Sequence, residues 1–447
     1  MSGTLVGILG FACIVAIVVT LFKSKTLPSI AFIVFPLILA LVLVLGKYYT
    51  WEDIASLIKS GFSSTGPTAA LFVFSVLYFG IMTDAGMFDV IIGKLMLLVK
   101  DSVVGVCIMT CIIALIGHLD GGGASTFCIV VPAMLPVYKR MHMRPTTMLR
   151  IAVLSMGVLN LMPWAGPTMR AATVLGIEAG ALWRTIMPIQ ACGIILALAV
   201  AVVNGIIEKK RGAGLNGLLA QTEGQAAVSP AEAAAAEAAS ELARPRLFFF
   251  NVFLTIAVIA LLILDIFPSY VPFMMGVALA ILVNYPGAKM QKKIINLHAG
   301  PALMGAAVLM GVLVKNVEGT ESVITCMSGL ISGFLPAVLG RHLPLVIGIL
   351  SVPLALAFDT DSYFYGMLPV MIGIGEGFGI AATPIAVAMV VCRNCATFIS
   401  PMVPATLLGV GLADVDIKDH IKNSFLWVWG FSFICMIVAV LFGIMPL

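Results

Sequence analysis

The sequence predicts an all-α integral membrane protein: an inverted repeat with two re-entrant helical hairpins and two broken transmembrane helices. Three observations predict it. Apolar residues make up 61% of the 447 and charged residues only 10%, where a soluble domain carries roughly 25% charged residues; the mean hydropathy is +1.14. Apolar stretches of bilayer length, roughly 20 residues each, recur along the whole chain. Polar, Gly- and Pro-rich interruptions fall inside apolar segments at matching places in the two halves.

Hydropathy marks full spans near 3–22, 27–46, 64–86, 146–182, 185–207, 247–265, 271–287, 300–317, 378–413 and 423–446. Those at 146–182 and 378–413 are broken in their middles. The first stretch lacks a basic leader and a small-x-small cleavage signal, so it is expected to stay as a span. Segments 102–118 and 122–138 are separated by Leu119-Asp-Gly121, and segments 343–358 and 362–375 by Asp359-Thr-Asp361. Lys94 and Lys100 precede the first pair, and Lys139 and Arg140 follow it. Positive charge at both ends suggests a hairpin that returns to the side it left, with a polar tip in mid-membrane. Polar backbone at that depth is tolerated only against protein or a water-filled cavity. Segments 87–100 and 320–334 are too short to span and read as in-plane amphipathic helices beside the hairpins.

Lys23, Lys25, Lys94, Lys100, Lys139, Arg140, Arg144, Lys209, Lys210, Arg211, Arg244, Arg246, Lys289, Lys292 and Lys293 fall on one side of this arrangement. The positive-inside rule makes that side the cytoplasm. The first hairpin then opens inward, the second outward, and both termini are external. Residues 208–246, rich in Ala, Glu and Gly, read as a cytoplasmic linker between a first repeat at 1–207 and a second at 247–447.

Three patterns argue for duplication. Ser125-Thr-Phe127-x4-Pro132-x-Met134 recurs 237 residues on as Ser362-Tyr-Phe364-x4-Pro369-x-Met371. Asn160-x6-Pro167 recurs as Asn394-x6-Pro401, 234 residues on, and Gly86-x3-Val90-Ile91 recurs as Gly319-x3-Val323-Ile324, 233 residues on. An odd number of crossings per half inverts the second copy. Inverted repeats with helices broken at matching positions point to a transporter site near the bilayer midplane.

Four interruptions supply the candidate site. The first holds Asp120, Gly121 to Gly123, Ser125 and Thr126. Its glycines allow close backbone approach to a ligand, and a helix start there aims free N–H groups at the gap; the plainer alternative is a tight turn capped by Asp and Ser. The second holds Asn160, Gly166, Pro167, Thr168 and Arg170. An arginine inside a membrane segment pairs with an anion or faces a cavity, and its fork matches a carboxylate; an internal ion pair with Asp120 or another acid is the alternative. The third holds Asp359, Asp361 and Ser362, whose carboxylates suit a divalent cation or a proton or cap the following helix. The fourth, with Asn394, Ser400 and Pro401, mirrors the second, and Arg393 reads equally as a site residue or as the partner of an acid. His118 reads as a packed polar residue and Glu376 as the end of a hairpin.

Other classes find no support. No basic run with interleaved aromatics suggests nucleic-acid binding. No nucleophile–base or HExxH constellation suggests an enzyme. The nine cysteines lie mostly in apolar segments and read as buried thiols.

At these residues the chain resembles the CitMHS family of the ion transporter superfamily. The stretches are Leu77-Tyr-Phe-Gly-Ile-Met-Thr-Asp-Ala-Gly-Met-Phe-Asp89, Leu119-Asp-Gly-Gly-Gly-Ala-Ser-Thr126, Met162-Pro-Trp-Ala-Gly-Pro-Thr-Met-Arg-Ala-Ala172, Asp361-Ser-Tyr-Phe-Tyr-Gly-Met-Leu-Pro369, Ser400-Pro-Met-Val-Pro404 and Gly411-Leu-Ala-Asp-Val-Asp416. The resemblance implies an elevator-type carrier fold in a bacterial inner membrane, moving against a homodimeric scaffold. It implies proton-coupled uptake of citrate as a complex with a divalent metal of the Mg2+ or Ca2+ class, with no permanently bound cofactor. Asp120, Asp359 and Asp361 would then serve the metal or proton. Ser125, Thr126, Asn160, Gly166, Pro167, Thr168, Arg170, Ser362, Asn394, Ser400 and Pro401 would serve the substrate. Four features depart from the family pattern: Gly122 stands where a second acid is usual, Asp359 is added, Glu318-Gly-Thr-Glu-Ser322 replaces the usual Gly-Thr-Gly-Met after the third span of the second half, and Arg393 is foreign to it. A carrier of another di- or tricarboxylate or sugar acid, without metal, and a channel or exchanger stay open as alternatives.

Overall fold

The computed structural model describes residues 1–22, 28–97, 102–214, 242–298, 304–333 and 335–446. Within them the chain is helical, with one isolated β-bridge between Val317 and Thr320. Seven helices are long and apolar enough to cross a membrane. The first half runs α1 (Gly3–Phe22), α2 (Pro28–Leu45), α3 (Trp51–Asp84), α4 (Met87–Met96), α5 (Val103–Gly117), α6 (Gly123–Arg140), α7 (Pro145–Leu159), α8 (Gly166–Leu175) and α9 (Ala179–Lys210). The second half runs α10 (Phe248–Leu264), α11 (Tyr270–Asn284), α12 (Ala288–His298), α13 (Met304–Val314), α14 (Val323–Ser332) and α15 (Ala337–Arg341). It continues with α16 (Leu343–Ala355), a π-helical turn at Ser362–Met367, α17 (Leu368–Gly377), α18 (Ala382–Cys395), α19 (Pro404–Leu412) and α20 (Ile417–Leu441).

Packing repeats between the halves. The cluster of α5, α7 and α9 has its counterpart in α16, α18 and α20, and α6 lies against α19 as the π turn lies against α8. Outer helices cross over: α1 packs on α14 and α2 on α13, while α4 packs on α10 and α3 on α11. Many large apolar side chains on outer helices are exposed, such as Phe249, Phe253 and Ile256 of α10 and Leu37 and Ile38 of α2. Apolar surface of that kind suits lipid. By contrast α7 is buried at every position from Thr147 to Leu159, and α18 from Ile385 to Cys395. Two helices at the centre of a bundle meet closely only over small residues. Gly157 fills that need, since a Cβ there would sit 2.7 Å from the Asn394 carbonyl.

Three boundaries differ from the hydropathy reading. The helix expected from residue 64 begins at Trp51, because Thr50 and Asp53 form a reciprocal capping box with N–H to oxygen distances of 3.1 and 2.8 Å. Its polar first turns hide it from a hydropathy window. The amphipathic helix α12 was not expected; its His298 ring nitrogen reaches Asp84 Oδ2 of α3 at 2.7 Å. Helix α9 runs to Lys210, into the expected linker at 208–246, whose central part, 215–241, lies outside the described residues.

Glu208 explains why α9 continues. Its carboxylate is fully buried and accepts hydrogen bonds from Arg144 Nε at 2.7 Å, Thr147 Oγ1 at 2.6 Å and Arg211 Nη2 at 2.8 Å. Arg211 also donates to the His142 carbonyl at 2.7 Å, and the Gly214 N–H donates to the Met141 carbonyl at 3.0 Å. One acid thus ties the end of α9 to the turn between α6 and α7, so any replaceable linker starts beyond Gly214. Both arginines stay partly solvated, which limits what their ion pairs contribute. Glu208→Ala is expected to destabilise the protein by roughly 1–3 kcal/mol, the cost of orphaning buried hydrogen-bond partners, read as a lowered melting temperature in detergent. An unchanged melting temperature would reduce Glu208 to a bystander.

Candidate functional site

The four interruptions converge on the crossing of α7 and α18. Each of those helices carries an asparagine at its end, Asn160 capping α7 and Asn394 in the last turn of α18, and the two meet side to side. Asn160 Nδ2 donates to Asn394 Oδ1 at 3.3 Å, and Asn394 Nδ2 donates to the Asn160 carbonyl at 3.1 Å. Both are buried. An asparagine carries donor and acceptor together, so it can satisfy backbone freed where a helix stops. Asn160 and Asn394, paired on repeat spacing alone, are joined directly.

The first tip comprises the 3-10 turn His118–Asp120 and the start of α6. Gly121 makes the reversal at φ +71°, a region that favours glycine. Asp120 accepts from the Gly122 N–H at 2.7 Å through Oδ1, and the Ser125 hydroxyl donates to Oδ2. Thr126 Oγ1 donates to the Gly122 carbonyl at 2.7 Å and hydrogen-bonds His118 Nδ1 at 2.7 Å. His118 is wholly buried; its Nε2 meets no hydrogen-bond partner among the described residues, and its ring stands edge-on to Phe398 at 5.1 Å. Trp164 of the first broken segment donates from Nε1 to the Leu119 carbonyl at 2.8 Å. The tip therefore touches both breaks, one through Trp164 and the other through Phe398.

The second tip carries the charge. Asp359 accepts from the Asp361 and Ser362 N–H groups at 2.9 and 3.0 Å and from the Ser362 hydroxyl at 2.6 Å. All three bonds are local, so Asp359 caps the turn. Asp361 points outward from that turn and takes Arg170 Nε at 2.5 Å. Both side chains keep a little exposure, 15% for Arg170 and 17% for Asp361. The partner of Arg170 is thus the neighbouring acid Asp361 of the other half, and not Asp120. Tyr365 lies beside this pair and packs edge-on to Phe32 of α2 at 5.7 Å.

The remaining candidates sort by position. Gly166 and Pro167 open α8, where Gly166 lies against Arg170. Thr168 donates to the Leu161 carbonyl at 3.1 Å, which fastens α8 across its own break. Ser400 is buried and accepts from the Met402 N–H at 3.2 Å, while Pro401 is exposed. A cavity of about 510 Å³ lies beside the second tip, between α8, α14 and α17. Its wall includes Leu175, Asn316, Thr325, Ser328 and Glu376, and none of the expected site residues. Glu376 is therefore a cavity-wall residue at the far end of α17. Sequence reasoning passed over Trp164, Thr397 and Phe398, which link tips to breaks. Their only signal is a polar or aromatic side chain inside a Pro-rich interruption.

Polytopic helices around two broken segments and two polar tips define the class of a membrane transporter. The chain belongs to the CitMHS citrate transporter family, which it matches over residues 6–392. It is 34% identical over 442 residues to a citrate transporter of Bacillus subtilis, covering 98% of this chain and 99% of that one. It is 31% identical over 445 residues to the Mg(2+)/citrate complex secondary transporter of the same organism, covering 98% and 99%. Among solved structures it resembles the YdaH transporter of Alcanivorax borkumensis, described as having an unusual topology. There the TM-score is 0.53 at 14% identity over 87% of each chain, a likeness of fold.

Aspartate at Asn160 or Asn394 removes the amide donor and adds negative charge where the broken helices cross. Loss of a buried hydrogen bond of roughly 1–3 kcal/mol is expected to lower uptake about tenfold or more in either variant. Wild-type kinetics in both would put the pair outside the site.

Proposed function

We propose that this protein carries citrate across the bacterial plasma membrane as a complex with a divalent cation, coupled to protons. The single observation that carries the reading is the Arg170–Asp361 pair, set between a broken helix and a hairpin tip. Arg170 offers a planar fork that fits a carboxylate. Asp361 already fills part of that fork, so a substrate carboxylate competes with it for the guanidinium. That exchange frees Asp361 to take a proton or the cation that arrives with the substrate. The names borne by the Bacillus subtilis relatives support citrate and, in one case, its Mg2+ complex.

Charge accounts for the co-substrates. An anion entering a low-dielectric site needs compensation. Citrate with three ionised carboxyl groups repels Asp120 and Asp361; a bound divalent ion cancels most of that charge. Among the described residues, no group of three His, Cys, Asp or Glu side chains comes together to hold a metal. In this reading the ion takes most of its oxygens from citrate and travels as cargo, with Asp120 and Asp361 as the acids that face it. Ser125, Thr126 and Ser362 at the tips, with Asn160, Asn394, Ser400 and the opening turn of α8 (Gly166, Pro167 and Thr168), frame the substrate. Asp359 contributes by shaping the second tip. The elevator motion, the homodimeric scaffold, the inverted repeat boundaries and the external termini complete the proposal. It draws on the repeated packing and the one-sided run of Lys and Arg.

Labelled citrate counterflow in proteoliposomes tests the class, because exchange without net flux is a property of a carrier and not of a channel. A screen of carboxylates with and without Mg2+ and Ca2+ tests the substrate. Arg170→Lys keeps the charge and loses the fork, and is expected to raise the KM for citrate about tenfold or more, equivalent to a charge-assisted hydrogen bond of roughly 1.5–3 kcal/mol. Asp361→Asn is expected to flatten the metal and pH dependence of uptake while leaving some substrate binding. Wild-type transport by the first variant and an unchanged metal and pH profile in the second would make the pair structural only.

A further inference from the structure

Arg393 is the largest wholly buried side chain of the described residues. It lies on α18 just before Asn394, where its guanidinium has no acid within ion-pair distance among the described residues. Nη1 donates to Thr397 Oγ1 at 3.0 Å, and Nη2 reaches the Phe358 carbonyl at 3.4 Å. Nε meets no partner among the described residues. The guanidinium lies 5.6 Å from the Tyr363 ring centre and 5.9 Å from that of Phe364. Each contact has a place in the site. Phe358 precedes Asp359, Tyr363 and Phe364 belong to the π turn after Asp361, and Thr397 donates to Asn394 Oδ1 at 3.3 Å.

Repeat spacing adds an independent fact. The residue 237 positions before Asp359 is Gly122, and the residue 234 positions before Arg393 is Leu159. The first half therefore lacks both the acid and the cation, and the second half has both. An extra buried charge of either sign is expensive in isolation and tolerable when matched. The two tips consequently differ in charge. The second holds two carboxylates with two guanidiniums; the first holds Asp120, bound by an N–H and a hydroxyl and with no cation paired to it among the described residues.

We propose that Arg393 is a positioning residue that fixes the second tip and cancels the charge of Asp359, leaving the Arg170–Asp361 pair as the charge the tip offers to substrate. The second tip thereby becomes the side that receives a carboxylate, and the first tip, through Asp120, the side that faces the cation. Arg393 touches no substrate itself. It sets which end of an anion–cation complex each hairpin meets.

The test compares R393Q, D359N, R393K and the double variant R393Q/D359N, by melting of the purified protein in detergent and by citrate uptake with Mg2+ in proteoliposomes. R393Q is expected to lower the melting temperature and raise KM at least tenfold, because it leaves Asp359 uncompensated. The double variant is expected to recover both, with KM within about threefold of wild type, and R393K to melt near wild type. A double variant no better than R393Q in either readout overturns the proposal, since a purely packing role over Tyr363 and Phe364 is not rescued at Asp359. If R393Q alone yields no folded protein, recovery of folded protein in the double variant supports the pairing, and failure of the double alongside folded D359N overturns it. The KM arm rests on the citrate reading, whereas the melting arm does not. Melting rescue in a protein that ignores citrate would therefore sink that reading and leave the charge pairing standing.

Discussion

Where α7 and α18 stop in the middle of the bundle, their last carbonyls and the N–H groups of the segments that follow have no helix to satisfy them. Within a membrane each such group costs several kcal/mol if left bare. The Asn160–Asn394 pair meets part of this need, since Asn394 Nδ2 donates to the Asn160 carbonyl while Asn160 Nδ2 donates to the Asn394 side chain, and Gly157 allows the backbones to approach closely enough for it. Other features of the site hang on that crossing. Trp164 and Phe398, one from each broken segment, hold the first tip; Arg170 and Arg393, again one from each side, hold the second. The tips are held against the breaks, and the breaks also bond to each other and to neighbouring helices, as Thr168 does to the Leu161 carbonyl.

The acids of the two tips differ in how they are held. Asp120 and Asp359 each fold back onto a serine and nearby N–H groups, as Ser125 and Ser362 show. A carboxylate engaged in this way acts as a helix cap. Asp361 has no such local partner and reaches across to α8 instead. Two neighbouring carboxylates on one turn thus take different roles because only one can occupy the capping position. The same logic explains why Arg170 and Arg393 are not interchangeable. One is partly exposed and ion-paired; the other is sealed beneath aromatic rings and bonded to a hydroxyl and a carbonyl.

Much of this was legible in the sequence. The all-helical membrane class followed from hydropathy, and the interruptions stood out because Gly, Pro and Asp are costly inside apolar spans. The spacing that relates Asn160 to Asn394 was visible because a duplicated fold repeats its breaks. What stayed hidden depends on contacts between distant elements. Nothing local to Arg170 distinguishes Asp361 from Asp120 as its partner, since both lie at polar tips; only the packing of α8 against the π turn decides it. Arg393 was ambiguous for the same reason. The early start of α3 was missed because a capping box acts through hydrogen bonds that hydropathy does not weigh. Glu208 was read as part of a solvated linker, because an acid beside Lys209, Lys210 and Arg211 looks like surface until Arg144 and Thr147 arrive from another helix.

A carrier must bind tightly enough to select and loosely enough to release, and an internal ion pair at the binding point reconciles these demands. A bare arginine in a low-dielectric site would hold any anion strongly. An arginine already paired with an aspartate holds one only by the difference between two similar interactions, because the incoming carboxylate replaces the outgoing one. The net gain is then small and sensitive to whatever happens to the displaced acid. In the proposed mechanism the displaced Asp361 must be compensated by the co-substrate before binding is favourable. Coupling of the kind proposed would then need no separate machinery. On that proposal it follows from placing a single acid, Asp361, beside the arginine that would anchor the substrate.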